Sequence, residues 1–268
     1  MSGRVAMRVT MLGCGGSAGV PQIGGADGRG DWGACDAAEP RNRRSRSAIV
    51  IETGAGARIL VDTGPELRGQ LLSCGIAAVD AVLFTHGHAD HVVGLDDLRI
   101  VNRVTGRPLD TYATQTTLDD LAKRFDYVFR PWKPPGFYRP VLVPHAVTPG
   151  QVVEIAGAEV TVFDQDHQVT RTLGLRVGGF GYSTDVVALD DAAFAALEGV
   201  DTWVVGCFQR QRHMTHAHVE LVVEWARRVG ARRTVLTHMG FDLDWDWMRR
   251  NLPTGIEPGH DGLVLEIG

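Results

Sequence analysis

Three histidines and an aspartate fall within six residues in the stretch Thr85-His86-Gly87-His88-Ala89-Asp90-His91. Imidazole nitrogens and a carboxylate at this density suit a borderline divalent metal such as zinc. His86 and His88 are two apart, so on an extended segment they point to one side and can grip one ion. Asp90 and His91 follow where the chain must turn, which lets them face a second ion a few ångströms away. The pattern differs from the helical H-E-x-x-H arrangement, whose histidines are four apart around a glutamate. The chemistry such a cluster supports is metal-assisted hydrolysis.

The run before it, Asp80-Ala81-Val82-Leu83-Phe84, is short and apolar and reads as a buried strand. Further strands are expected over 5–12, 48–52, 57–62, 109–113, 151–155, 159–163, 173–177, 180–183, 202–207, 233–236 and 262–267. Helices are expected over 116–125, 191–197 and 219–228, with a short helix or turn over 92–101. Asp62-Thr63-Gly64-Pro65 ends a strand and starts a helix. Asp62 stands there either as an ordinary turn or N-cap aspartate or as a buttress for a ligand histidine. Hairpin-linked strands first, then helices mixed with strands, imply two sheets with helices packed outside. No repeat, low-complexity tract or linker is evident.

A chain of 268 residues can bury a sizeable core without disulfides. Its net charge of −5 excludes the global basic field of non-specific nucleic-acid binders. Cys14, Cys35, Cys74 and Cys207 form no C-x-x-C pair, which fits a reducing compartment. The N-terminal residues lack the apolar core of a signal peptide, and no apolar run reaches membrane-spanning length. A soluble, cytoplasmic protein with no membrane partner is the expectation.

Three other stretches could carry function. Gly13-Cys14-Gly15-Gly16-Ser17-Ala18-Gly19-Val20-Pro21 invites a dinucleotide reading, but the spacing is G-x-G-x-x-x-G and Pro21 would break the required helix. The plainer view is a tight turn that brings backbone N–H groups near something, an anionic substrate included. Arg41-Asn42-Arg43-Arg44-Ser45-Arg46 is either a solvated turn or the source of a phosphate-contacting arginine. Between 127 and 140, five aromatic residues interleave with Arg130, Lys133, Arg139 and four prolines. This segment is either an anchored surface loop or a wall that stacks on a base or sugar.

A two-metal site needs more donors, with a carboxylate suited to bridge the ions. His167, Asp185 and His238 each follow an apolar run, as His86 does. With these residues the chain resembles the metallo-β-lactamase fold, an αββα four-layer sandwich of the α/β class with a dinuclear centre between sheet edges. The resemblance implies a single domain over 1–268, one ion on His86, His88 and His167, a second on Asp90, His91 and His238, and Asp185 bridging both. The glycine turn and the tail Leu252-Pro253-Thr254-Gly255-Ile256-Glu257-Pro258-Gly259-His260-Asp261-Gly262 are similar to the phosphoribosyl cyclic phosphodiesterase branch of that family. The chain departs from that branch at its separate structural zinc. Gly30-Asp31-Trp32-Gly33-Ala34-Cys35 keeps one cysteine and Phe241 replaces a histidine, so no such zinc is expected.

A hydrolase also needs a proton for its leaving group, and His213, His216 and His218 lie in one stretch. By the resemblance, His216 is the general acid, and Asp90 belongs to the catalytic as well as the metal set. The expected reaction is cleavage of a small phosphodiester, cyclic or linear, with a sugar or nucleoside attached, by metal-bridged hydroxide attack. Two divalent ions, zinc or manganese, are the expected cofactors, and histidine-rich sites also accept iron or nickel. Nucleic acid is not expected as a partner, and a homodimer is left open. The rival readings are a tRNA 3′-processing endoribonuclease, a carboxylic ester, thioester or lactone hydrolase, and a non-enzymatic metal-stabilised binding module.

Overall fold

The computed structural model describes residues 7–268. The start of the first expected strand and most of the N-terminal stretch read for a leader lie outside the described residues. The first sheet contains β1 (Met7–Gly13), β2 (Ala48–Glu52), β3 (Arg58–Val61), β4 (Ala81–Leu83), β5 (Leu109–Ala113) and β6 (Leu142–Ala146). The second contains β7 (Val152–Ile155), β8 (Ala158–Asp166), β9 (Arg171–Val177), β10 (Phe180–Ser183), β11 (Thr202–Gly206), β12 (Arg233–Thr237) and β13 (Ile256–Pro258). The chain then returns as β14 (Val264–Ile267) to the edge of the first sheet, beside β1. Each sheet has seven strands, in the orders β14-β1-β2-β3-β4-β5-β6 and β13-β12-β11-β10-β9-β8-β7.

Alternation within strands builds the layers. Val9, Met11, Ile49, Ile51, Ile59, Val61, Ala81 and Leu83 pack in one core with Val160, Val162, Leu175, Tyr182 and Val204 of the second sheet. Their neighbours Ala48, Val50, Leu60 and Val82 turn to the opposite face. There they meet Leu67 and Leu71 of α1 (Leu67–Ser73), the single-turn α2 (Ala89–Val92), Leu98 and Val101 of α3 (Leu98–Thr105), and Leu118 and Leu121 of α4 (Gln115–Arg124). On the far side, α5 (Asp191–Ala196), α6 (Val219–Val229) and α7 (Trp245–Asn251) contribute Phe194, Val222, Trp225 and Met248. Each such side chain contributes about 1.5–3 kcal/mol by leaving water. The result is the expected αββα order. No helix among the described residues is long and apolar enough to cross a membrane.

The strands that matter for chemistry are parallel. β3, β4, β5 and β6 run together in the first sheet, and β10, β11, β12 and β13 in the second. Their carboxyl ends therefore deliver loops to a common edge, where open α/β sheets place ligands. Apart from single helical turns, three elements escape the sequence reading. β6 is a largely exposed edge strand carrying Pro144, α7 is a seven-residue helix rich in tryptophan, and β13 has three residues.

The arginine run proves to have divided roles. Arg41 pairs with Glu39, and Arg46 with Glu66. Arg44 is buried, and its guanidinium donates to the carbonyls of Gly240 (3.0 Å) and Leu243 (2.6 Å) and to Asn42 Oδ1 (3.1 Å). Neither a simple solvated turn nor a phosphate contact describes Arg44; it clamps the segment that follows β12. The 127–140 segment is an anchored loop. Arg139 donates to the carbonyls of Arg130 and Pro131, and Trp132 stacks on Phe137 with centroids 4.5 Å apart. Arg44→Ala is expected to leave buried carbonyls without donors and to lower stability by about 2–4 kcal/mol, measured by chemical denaturation.

Candidate metal centre

Each expected ligand sits where a strand ends. Thr85 to His91 follows β4, with His86 and His88 on extended chain and Asp90 and His91 in the turn of α2. His167 follows β8, Asp185 follows β10, and His238 follows β12. A hydrogen bond from Leu173 N of β9 to Thr85 O (3.0 Å) ties the two sheets together at this point.

The side chains converge as two sets that share one residue. One ligand atom each from His86, His88, His167 and Asp185 lie within 4.8 Å of one another, and so do atoms from Asp90, His91, Asp185 and His238. Asp185 Oδ2 lies 2.9 Å from His91 Nε2 and 3.1 Å from His238 Nδ1, while Oδ1 lies 3.6 Å from His167 Nε2. His86 Nε2, His91 Nε2 and both ring nitrogens of His238 are buried without a hydrogen-bond partner. Buried polar atoms are rarely left so. Lone pairs aimed at a common point without mutual hydrogen bonds fit cations as the missing partner, and the donor set fits two divalent ions. Both metal-type clusters among the described residues lie here, and Cys35 belongs to neither. Its thiol donates to Phe241 O at 3.3 Å.

On His86, His91 and His167 the outer nitrogen is satisfied, and that fixes which nitrogen faces inward. His91 Nδ1 donates to Asp62 Oδ2 (2.7 Å), and His167 Nδ1 to the Thr215 carbonyl (2.7 Å). His86 Nδ1 meets Thr85 Oγ1 at 3.0 Å, and that hydroxyl donates onward to Asp62 Oδ2 at 2.8 Å. Of the two roles open for Asp62, the structure selects the buttress: one buried carboxylate orients two imidazoles. Thr85 and Thr215 were not singled out in the sequence. Thr85 adjoins the motif and could have been found; Thr215 acts through its carbonyl and left no side-chain signal.

Three of these residues hold left-handed backbone: Asp62 (φ 65°), Asp185 (φ 44°) and His238 (φ 53°). Such conformations cost non-glycine residues stability and concentrate at functional sites. Electrostatics follows the geometry. Burial depresses His86 well below the usual imidazole range. Burial also acts downward on His91, but Asp185 and Asp62 outweigh it and raise that group. Burial would raise Asp185, yet the fields of His238 and His91 hold it well below the ordinary carboxylate range.

His216 stands beside the cluster. Its Nδ1 is 3.7 Å from Asp185 Oδ1, and its ring stacks on His238 (4.9 Å between centroids) and on Phe208 (4.8 Å). His213 is a neighbour, 5.2 Å away ring to ring, and His218 stands at the N-cap position of α6 without a side-chain hydrogen bond to it. The glycine turn brings several of its backbone N–H groups to partners within the protein. Cys14 N donates to Asp261, Gly15 N to Ser45 O, Gly16 N to Met239 O and Gly19 N to Gly16 O. These N–H groups serve the protein itself and hold the residue next to His238.

A four-layer sandwich with this shared His/Asp cluster defines a metallo-β-lactamase-fold, metal-dependent hydrolase. The model of the beta-lactamase superfamily domain matches residues 57–239, and the chain belongs to that superfamily. An octanoyltransferase of Porphyromonas gingivalis is 34% identical over 266 residues, covering 97% of this chain and 52% of that protein, so the chain spans about half its length. A ribonuclease Z of Mycobacterium sp. (strain KMS) is 31% identical over 264 residues, covering 85% of this chain and 92% of the enzyme. Among solved structures, a diphosphatase from the PhnP family superposes with a TM-score of 0.87 at 34% identity, over 98% of this chain and 97% of that one. Human tRNase Z, short form, superposes with a TM-score of 0.68 at 17% identity, a likeness of fold alone.

Asp185→Asn keeps a residue tolerant of left-handed backbone but removes the charge. It is expected to abolish binding of both ions, read by metal analysis after dialysis. Asp62→Asn is expected to weaken metal affinity about 10–100-fold while leaving the ligands in place. Retention of both ions at full affinity by the Asp185 variant would refute the bridge.

Proposed function

We propose that the protein is a dinuclear-metal phosphodiesterase that cleaves a small phosphodiester, cyclic or linear, with a sugar or nucleoside attached. The observation that carries this reading is His216. It is a further imidazole at the shared carboxylate that neither four-residue ligand set includes. A sugar alkoxide is a poor leaving group that needs a proton as it departs, whereas a thioester expels a thiolate and has less need of such a group. The relatives called ribonuclease Z and the solved diphosphatase support chemistry at phosphorus.

His86, His88 and His167 would hold one ion, Asp90, His91 and His238 the other, with Asp185 between them. When bound, two divalent ions supply Lewis-acid stabilisation of charge on the phosphoryl oxygens and a nucleophilic water at neutral pH. The chain's own contribution is orientation and a proton. Asp62, Thr85 and the Thr215 carbonyl fix His86, His91 and His167 so that their Nε2 atoms face inward. Asp90 Oδ2, 3.3 Å from His91 Nε2, adds negative charge on the side of the second ion.

His216 is the proton donor to the leaving oxygen. In the free protein burial, and then the field of His238, depress its pKa to about 3. The protonated form is therefore scarce at neutral pH, and an anionic phosphodiester beside the ring shifts it the other way. A tRNA 3′-processing role is less well supported. The net charge is −5, and a small anion needs no extended basic surface. The name octanoyltransferase favours acyl chemistry as a second reading, but the match leaves nearly half of that relative uncovered.

Reconstituted protein is expected to hydrolyse bis-p-nitrophenyl phosphate faster than a lactone or thioester; the reverse order would support the acyl reading. With poor leaving groups, kcat/KM is expected to include a limb that falls as pH rises, because raising pH removes the proton that His216 must deliver. His216→Ala is expected to lose that limb and about 10²–10⁴-fold in rate on such substrates. Full activity of this variant on a poor leaving group would refute the assignment.

A further inference from the structure

Hydrogen bonds orient His86, His91 and His167 through Nδ1, but among the described residues none fixes the ring of His216. Its distance to Asp185, 3.7 Å, is too long for one. Packing must hold it instead. Four rings surround it: His167 (4.6 Å between centroids, 56° between planes) and His213 (5.2 Å, 38°) are tilted against it, while Phe208 (4.8 Å, 28°) and His238 (4.9 Å, 23°) lie face to face with it, and of these two only Phe208 lies outside the expected ligand sets.

Phe208 is itself held in a slot walled by two glycines. A Cβ added at Gly16 would fall 2.8 Å from Phe208 Cε2 and 3.0 Å from Cδ2. One added at Gly240 would fall 3.4 Å from Cε2 and 2.8 Å from the Phe208 carbonyl oxygen. The backbone is pinned as well. Phe208 N donates to Ala217 O (2.9 Å), Gly240 N donates to Phe208 O (2.8 Å), and Ala217 N donates to Val186 O (2.6 Å). The segments that carry His216, Asp185 and His238 thus meet around this one ring.

We propose that Phe208 is a positioning residue that holds the His216 imidazole against the shared carboxylate, and that Gly16 is a glycine to admit the Phe208 ring. This gives a reason for a glycine at position 16, whose own N–H donates to Met239 O. The role as stated rests on His216 being the proton donor. A displacement of the donor by about 1 Å is enough to cost up to 10²-fold in rate.

The test uses zinc-reconstituted protein and methyl aryl phosphodiesters whose leaving groups run from p-nitrophenol to phenol. Phe208→Leu keeps apolar bulk but removes the ring, and Gly16→Ala pushes the ring aside. Both are expected to keep two zinc ions per chain by mass spectrometry. Both are expected to lose about tenfold more rate on the phenyl than on the p-nitrophenyl ester, in the same direction as His216→Ala. In NMR spectra, both are expected to shift the His216 ring protons by changing the aromatic ring current, with smaller changes at His86 and His167. If His216→Ala shows the leaving-group dependence while the two variants lose rate evenly or not at all, the positioning role is overturned. If His216→Ala shows no such dependence, the donor reading fails. Ring-to-ring nuclear Overhauser contacts between His216 and His238 then decide the positioning role alone: unchanged contacts in Phe208→Leu overturn it, and weakened contacts retain it.

Discussion

One buried carboxylate, Asp185, gathers imidazoles from four separate segments of the chain. His91, His238, His167 and His216 all present a ring nitrogen within 3.7 Å of its oxygens. In the dry interior, so many donors around one anion are tolerable only if cations or protons complete the balance. The rest of the fold can be understood as the means of bringing these groups to one place. Parallel strands in both sheets end at the same edge, and left-handed backbone at Asp62, Asp185 and His238 turns side chains inward there.

The outer partners supply direction rather than number. Asp62 accepts from both His91 and Thr85, so a single side chain correlates a ligand of each set. Behind His238 the support is of another kind. Arg44 fastens Gly240 and Leu243, and the glycine turn hydrogen-bonds Met239. His86 and His91 thus rest on polar side chains, His167 on a backbone carbonyl, and the last ligand on backbone held from outside.

Much of this was legible in the sequence, for identifiable reasons. Histidines and aspartates two to three apart after an apolar strand have few other uses, and His167, Asp185 and His238 each follow an apolar run that marks a strand end. The sheet cores were readable because alternate residues in β2, β3 and β4 are apolar on both faces. What stayed hidden depends on distant segments. Nothing local distinguishes buried Arg44 from exposed Arg43, because the difference lies in carbonyls near residue 240. The glycine turn suggested an anion site because hydrogen-bond partners at Ser45, Met239 and Asp261 are remote in sequence. β6 went unread because an edge strand can carry proline and needs no apolar alternation.

The carboxylate of Asp261 accepts hydrogen bonds from Cys14 N, Ser45 N and Ser45 Oγ, and β14 pairs with β1 just beyond it. The frame behind His238 is therefore closed by residues some 247 positions away from the turn they secure. During synthesis the ligands of the first set emerge long before that closure can form. Contacts of such long range slow folding, because a long loop must close before the contacts that reward it can form.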